Sequence, residues 1–470
     1  MGPSQFSRFR FDRSSPTPLH RQLYDRIRAA IAEGRLRPGE RVPSARSLAA
    51  QLGVARGTID MAYTRLSGDG ILLGRGQRGT IVSGAIPAAR PQAPRTAEGV
   101  IKSVTKPEVL EDLKPFRLGL PALDLVPRKL WSRLVIREAK RAAGASLAYP
   151  DAMGLPALRQ AIAAYLAVSR GVAAAPEQIA ITGGYQGALD LAARLVLSQG
   201  DTVLFEDPGY GFARHALLGL GMRLLPVPVD EEGMNLARAR RSKARLAVVT
   251  PAHQAPLGVT LSLARRQALL AWAHDARGFV LEDDYDSEFH YSGFKPAALK
   301  SLDGEDRVFH AGSFSKTLFP ALRLGWLVVP AQFAEDAARH CRDRGRGHAS
   351  LEQAALASFL ADGHFARHLR RMRQAYKSRR QALADALRET FGGDIDFTLP
   401  AGGLYILARF PGHDADRMLA ARCGRHGLAV SPLSAQSIKY GAGEGLLLSF
   451  TNIAEKDAGA MAARLKQALG

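Results

Sequence analysis

Cysteine is scarce: Cys341 and Cys423 are the two present in 470 residues. Two cysteines build neither a disulfide framework nor a metal site. Long apolar runs are missing too, so no segment reads as a bilayer span, and the first residues do not read as a signal peptide. A cytoplasmic protein with no membrane partner and no metal is the expectation. Lysine is absent from residues 1–95, and acids are few there: 16 arginines stand against six acids, 16 − 6 = +10. That is half of the chain's net +20. Such a shortage of negative charge favours a polyanionic partner. What remains is ordinary soluble composition, 46% hydrophobic and 23% charged, in a chain long enough for two or three domains.

Thr17-Pro18 reads as a helix start, with Thr17 as N-cap and Pro18 at the first helical position. Leu19, Leu23, Ile27 and Ile31 then recur every four residues, which makes one apolar helical face. Residues 36–43 carry Pro and Gly and are a tight connection or a short strand. Ser44 caps a second helix through Leu52, which Gly53 breaks. Residues 55–58 open a third, running to about Ser67 with Ile59, Tyr63 and Leu66 inward. Helix, turn, helix is a DNA-reading pattern. Residues 71–82 add two short strands around a Gly/Arg tip, a wing.

Residues 85–114 lack periodicity and are punctuated by Pro87, Pro91, Pro94 and Pro107, the composition of a linker. From about Phe116 helices and apolar strands alternate. The stretch His310-Ala-Gly-Ser-Phe-Ser-Lys-Thr-Leu-Phe-Pro-Ala-Leu-Arg-Leu-Gly-Trp326 is the most telling. Lys316 sits in a polar turn after an apolar, strand-like run. A lysine near apolar surface loses its proton at modest cost and can form a Schiff base with a carbonyl. Ser313, Ser315 and Arg323 supply the hydroxyls and the fork that a phosphate monoester needs. Pyridoxal 5′-phosphate (PLP) is the cofactor that needs all of these. Residues 278–285 read as a buried strand ending in acids. Asp283 is the candidate carboxylate for the protonated ring nitrogen, and Tyr285 the donor to the ring oxygen. The gap of 33 residues (316 − 283) leaves room for a helix-bearing crossover to a neighbouring strand. Residues 179–187 read as strand, glycines and helix start, whose free N–H groups suit a phosphate. Residues 155–169 form a helix with Leu158, Ile162 and Tyr165 on one face. The basic stretch over residues 364–380 reads as a solvated or DNA-facing helical surface.

Residues 18–83 resemble the winged helix of the GntR family over its full length. Pro18-Leu19, Gly39-Glu-Arg-Val-Pro-Ser-Ala-Arg46, Leu48-Ala-Ala-Gln-Leu-Gly-Val54 and Arg75-Gly-Gln-Arg-Gly-Thr80 keep their order and spacing. The resemblance implies DNA contacts from Arg41, Ser44, Arg46, Arg56, Thr58, Arg75, Arg78 and Thr80. Arg46 and the start of the third helix would face the major groove. The Lys316 stretch resembles the lysine motif of the fold-type-I aminotransferases, in the form used by MocR/GabR-type regulators. This likeness spans roughly residues 116–470. It implies that Tyr210 stacks on the cofactor ring and that Gly184, Tyr185 and Gln186 surround the phosphate. It places His253 in the segment that touches the ring oxygen. Tyr149 would reach the phosphate of the other subunit in a head-to-tail, domain-swapped homodimer. One position departs from the pattern. Where aminotransferases carry an arginine for the substrate's α-carboxylate, this chain has Leu447, and Arg214 is a possible substitute.

The expected architecture is an N-terminal winged helix-turn-helix (residues 10–84), a flexible linker (85–115) and an α/β, fold-type-I PLP-dependent aminotransferase-like domain (116–470). The last comprises a large, mostly parallel sheet and a small C-terminal α/β part from about residue 351. The expected function is a homodimeric, PLP-dependent transcription regulator. It would bind a double-stranded DNA operator and sense a small amine, an amino compound or PLP itself, without physiological turnover. The rival reading is a working aminotransferase with a DNA-binding appendage. A cofactor-free fold is disfavoured by the joint presence of Lys316, Asp283, Tyr285 and Arg323.

Overall fold

The apolar face of residues 19–32 winds into helix α1 (Leu19–Ala32), which buries Leu23, Tyr24 and Ile27. Pro18, not Thr17, is its N-cap: Pro18 has an extended ψ of 144°, so the helix begins one residue later than the Thr-Pro pair suggests. The computed structural model describes residues 6, 9, 11–76, 79–84, 113–293, 296–344 and 347–470. Residues 85–112, most of the expected linker (85–115), lie outside that set, as does Arg78.

Strand β1 (Arg41–Val42) settles residues 36–43 as a short strand. Helix α2 (Ala45–Leu52) starts where the Ser44 hydroxyl accepts from the Ser47 N–H at 3.2 Å, and stops at left-handed Gly53. Helix α3 (Arg56–Gly68) buries Ile59, Tyr63 and Leu66. Strands β2 (Leu72–Gly74) and β3 (Thr80–Val82) form the wing, and β3 also pairs with β1. Leu23, Ile27, Leu48, Ile59, Leu66 and Val82 close a core of their own. Each such side chain contributes on the order of 1.5–3 kcal/mol by burial. Residues 1–106 thus hold one unit and residues 107–470 the other.

The second unit begins with α4 (Arg128–Arg141) and α5 (Pro156–Arg170). Its chain then alternates: β4 (Ile179–Thr182), α6 (Tyr185–Val196), β5 (Thr202–Asp207), α7 (Gly211–Gly219), β6 (Arg223–Asp230), β7 (Gly233–Met234), β8 (Leu246–Val249), α8 (Leu263–Asp275), β9 (Phe279–Asp284), β10 (Val308–Ser313) and β11 (Gly325–Val328). The eight strands make one sheet in the order β4-β11-β10-β9-β8-β5-β6-β7. The pairs from β10 through β9, β8 and β5 to β6 are parallel, while β11 runs against both its neighbours. β10 is the neighbour of β9, as the Asp283–Lys316 spacing suggests, but the crossover carries a single 3-10 turn, Lys300–Leu302, among its described residues.

Helices α9 (Ala334–Arg344), α10 (Ser350–Ala361) and α11 (His364–Phe391) follow. Strands β12 (Tyr405–Ala408), β13 (Ser431–Pro432) and β14 (Leu446–Ser449) form a small antiparallel sheet, flanked by α12 (Asp416–Arg425) and α13 (Ala458–Leu469). The basic stretch 364–380 is solvated along one face, where Arg367, Arg370, Arg371 and Lys377 are exposed. It is the first half of α11, with Phe365, Leu369, Met372 and Tyr376 buried every three to four residues. Arg379 is buried and donates to the Thr451 carbonyl, and Arg380 lies over the Tyr291 ring at 4.6 Å. On the inward face Arg373, Arg379 and Arg380 lie along the core and satisfy carbonyls. Among the described residues no helix is long and apolar enough to cross a membrane.

Candidate functional site

The C-terminal ends of β5, β8, β9 and β10 open on one crevice, the place where α/β sheets hold ligands. β10 ends at Ser313, and the turn after it presents Ser315 and Lys316. The Ser313 hydroxyl donates to the Ser315 hydroxyl at 2.9 Å and accepts from the Ser315 N–H at 3.0 Å. Across from it, Gly184 (φ 83°) is the N-cap of α6, so the Tyr185 and Gln186 N–H groups head a helix. A Cβ on Gly325 would lie 2.9 Å from Gly184, which shows how closely the β10–β11 turn abuts that helix start. Arg323, exposed and left-handed (φ 51°), stands two residues before Gly325. The Ser313 and Ser315 hydroxyls thus face the start of α6 across a short gap, with Arg323 in the adjoining turn.

Asp283 lies on the crevice face of β9 and is 3% exposed. Its Oδ1 is buried with no hydrogen-bond partner, although the Tyr185 phenol lies beside the carboxylate. Burial pushes this carboxyl well above the usual range, and the nearby Asp284 and Asp286 charges push it further. A buried carboxylate in want of a cation is what a protonated pyridine nitrogen would satisfy. Tyr285 meets His253, whose Nδ1 is 2.9 Å from the Tyr285 hydroxyl and 3.0 Å from Asp286. Tyr210 and Tyr185 sit with ring centroids 6.0 Å apart. Burial pushes the Lys316 amine down, opposed by Asp283 and Asp286. Lys316 Nζ donates to the Gly119 carbonyl at 2.8 Å. These residues fit PLP: a lysine amine, an unsatisfied carboxylate, and hydroxyls facing a helix start, all at one set of strand ends. Tyr149 is 79% exposed.

Several residues here escape sequence reading. Glu206 is buried at the end of β5, and burial pushes its carboxyl up to about 7 against hydrogen bonds from Thr250 and Gln254. Asp207 accepts from the N–H groups of Ile438, Lys439 and Tyr440, each at 2.7 Å, and so fastens that loop beside Tyr210. Arg214 donates to the carbonyls of Ala435 and Ser437, both at 3.2 Å, which ties its guanidinium to that loop. Leu447 is 1% exposed and belongs to the core. Gly119 is 197 residues from Lys316 in sequence, and no local pattern could have paired them.

Behind Asp283, on the opposite face of β9, Arg170 grips Asp284 with Nε at 2.6 Å and Nη2 at 3.2 Å. His310 adds a contact to Asp284 at 3.1 Å. Burial would raise the Asp284 carboxyl, but the Arg170 guanidinium and His310 hold it well below the usual carboxylate range. Arg170→Ala would leave a buried carboxylate without its main counter-charge, so we expect a loss of roughly 3–5 kcal/mol of stability. Urea unfolding with the visible cofactor band as a second probe measures it. A change under about 1 kcal/mol would refute the assignment of this pair as the support beneath Asp283.

In the N-terminal unit Arg41, Ser44, Arg46, Arg56 and Arg75 are exposed, and Thr58 and Thr80 are half-buried. Arg41 packs over Gly79 at the wing, Arg56 pairs with Asp60 at 3.3 Å, and the Ser44 hydroxyl caps α2. Arg41, on β1, and Thr80, on β3, lie in adjacent strands.

The fold and these two sites define a class: a winged helix-turn-helix on one chain with an aminotransferase-class α/β unit. The family described as bacterial regulatory proteins, gntR family, matches residues 19–82, and the family described as aminotransferase class I and II matches residues 127–446. The chain is 36% identical over 455 residues to the probable rhizopine catabolism regulatory protein MocR of Rhizobium meliloti, covering 95% of this chain and 92% of that one. It is 36% identical over 435 residues to the HTH-type transcriptional regulator TauR of Rhodobacter capsulatus, covering 88% of each. The crystal structure of LysN, the α-aminoadipate aminotransferase of Thermus thermophilus complexed with N-(5′-phosphopyridoxyl)-L-leucine, is similar with a TM-score of 0.70 and 28% identity, over 77% of this chain and 93% of that one. The chain belongs to the MocR-type transcription regulators of the gntR family. Their aminotransferase class I and II fold is PLP-dependent.

Proposed function

We propose that this chain is a DNA-binding transcription regulator whose aminotransferase-like unit holds PLP on Lys316 and uses it to sense a small amine, an amino compound or PLP itself. The observation that supports the reading is a set of cofactor-type side chains beside two positions, Leu447 and Arg214, that offer no open carboxylate clamp. Lys316, Asp283, Tyr285, Ser313 and Ser315 stand at the ends of the adjacent strands β9 and β10, while Leu447 is core and Arg214 is tied to loop carbonyls. Bound PLP would supply an electron sink conjugated to any amine it captures. The chain's own residues bind and orient it: Lys316 covalently, Asp283 at the ring nitrogen, Tyr285 at the ring oxygen with His253 behind it. Gly184, Tyr185, Gln186, Ser313, Ser315 and Arg323 hold the phosphate, and Tyr210 covers the ring.

Assembly as a head-to-tail homodimer belongs to the same proposal. Tyr149 and Leu147 are 79% and 73% exposed, an apolar pair that a second copy would cover. Tyr149 would then serve the partner's phosphate.

The DNA contacts are assigned to Arg41, Ser44, Arg46, Arg56, Thr58, Arg75, Arg78 and Thr80, and the compartment to the cytoplasm, where the DNA is. Titration of the full chain against operator DNA at several salt concentrations should give a steep negative log–log slope, roughly −0.9 per phosphate neutralised. Arg46→Ala should lose about 1–3 kcal/mol of preference for its operator over scrambled DNA. Equal preference before and after that substitution would count against the groove assignment.

A further inference from the structure

The segment that enters the C-terminal unit directly after the linker is fastened at both flanks to other elements and touches Lys316 in its middle. Gly119 lies six positions after Leu113, the first residue described beyond 112 (119 − 113). Gly119 has φ +80° and a Cβ there would lie 2.8 Å from Lys316 Nζ. Only glycine allows the amine to reach the carbonyl of residue 119. On the linker side, the Pro115 carbonyl accepts from the Ala429 N–H at 2.9 Å, and Phe116 bridges Ser449 at the end of β14. Phe116 is fully buried with φ 66°, a conformation a bulky residue keeps only when its surroundings impose it. On the other side, the Thr451 hydroxyl donates to the Leu120 carbonyl, and the Ala122 N–H donates to the Tyr376 hydroxyl at 2.9 Å. Arg379 then grips Asp124 at 3.2 Å. One short strap therefore contacts the lysine of the site, the small sheet and the long helix α11. It is also the covalent continuation of the linker to the DNA-binding unit.

We propose that residues 113–125 are the relay that reads whether the Lys316 amine is free or covalently engaged and passes that state to the linker. This rests on the reading of Lys316 as the PLP lysine. A free Lys316 amine donates to Gly119 and holds the strap down. A Lys316 nitrogen bonded to a cofactor carbon no longer offers an ammonium's donors, and the Gly119 carbonyl loses its partner. The strap's remaining anchors, on Ser449, Thr451, Tyr376 and Arg379, then set its position together with the small sheet. The linker would not have to carry a torque from a distance: Gly119 lies four residues past its expected end at residue 115 (119 − 115).

The test is amide hydrogen exchange on the full-length protein, PLP-free and PLP-loaded, with the visible band and borohydride trapping as the measure of loading. Peptides covering 113–125 should exchange about fivefold faster or more in the loaded protein, the consequence of losing one charge-assisted hydrogen bond. Peptides over 184–187 and 313–315 should move the opposite way. In Lys316→Ala the strap should exchange fast with or without added PLP. Tyr376→Phe removes a strap anchor outside the site. It should keep the visible band while reducing the PLP-dependent change in DNA affinity about threefold or more. Asp124→Asn serves the same purpose if Tyr376→Phe does not fold. A loaded protein whose strap is unchanged or slower overturns the relay and leaves the PLP reading standing. So does a DNA affinity that ignores PLP, or one whose PLP response survives loss of the anchors. A protein with no visible band and nothing trapped overturns the PLP reading itself, and the relay with it.

Discussion

Lys316→Ala is expected to abolish covalent PLP. The wild-type protein should show a visible band near roughly 400 nm, as pyridoxal on a lysine does, and borohydride should fix the cofactor to one peptide containing residue 316. The substitution removes the one lysine that stands among Asp283, Tyr285 and the Ser313-Ser315 turn, with its amine held at 2.8 Å from the Gly119 carbonyl. Burial already pushes that amine down, which raises the fraction of free base able to react. The loss should also appear as stability. A ligand bound only by the folded state adds about 2.7 kcal/mol at a hundredfold excess over its Kd, and most of that should vanish with the covalent link. Asp283→Asn makes a useful contrast. It should keep the trapped lysine yet weaken PLP retention by about 2 kcal/mol or more, because the ring nitrogen loses a buried counter-charge. Cofactor trapped on a different lysine would end the assignment.

Much of this site is legible in the sequence alone, and the reason is local. Ser313, Ser315 and Lys316 lie within one turn, and Asp283 and Tyr285 flank the last residue of one strand, so sequence proximity stands in for spatial proximity. The wing and helices of the N-terminal unit are legible on the same terms, from the caps Ser44 and Gly53 and the spacing of Leu23 and Ile27. What is not legible is tertiary. The Arg170–Asp284 pair is 114 residues apart in sequence, and the Lys316–Gly119 contact is 197 apart. The charges of the basic half of α11 mark its solvated face, but the interleaved Phe365, Leu369, Met372 and Tyr376 bury the other face in the core. Arg214 reads as a free cation in sequence, whereas the fold gives it carbonyl partners at Ala435 and Ser437. A side chain's chemistry is written in the sequence, but whether that chemistry is already satisfied depends on the fold.

The same distinction sets the expected outcome of a turnover assay. Transamination requires an amino acid held so that its α-proton stands over the cofactor plane, whereas regulation requires only different affinities for two states. The α-carboxylate is the handle that usually fixes that pose. Leu447 is buried core on β14, between Leu407 on β12 and Ser431 on β13, and cannot supply a fork. Arg214 is tied to the loop that Asp207 fastens through three N–H groups. Losing a bidentate charge-assisted clamp in a closed site costs about 2–5 kcal/mol, which is roughly 30- to 4,000-fold in rate. We therefore expect common α-amino acids to be turned over below about 0.1 per second, against the ordinary enzyme range of about 1–10³ per second. An amine without a carboxylate suffers no such penalty and should perturb the visible band while yielding no keto product. The measurement is a panel of amino acids and plain amines, scored for keto-acid release, for spectral change and for DNA affinity in the same buffer. Spectral change and a shift in DNA affinity without product is the pattern of a sensor. Keto-acid release within the ordinary range, with DNA affinity indifferent to every compound, would instead make this chain an aminotransferase carrying a DNA-binding appendage.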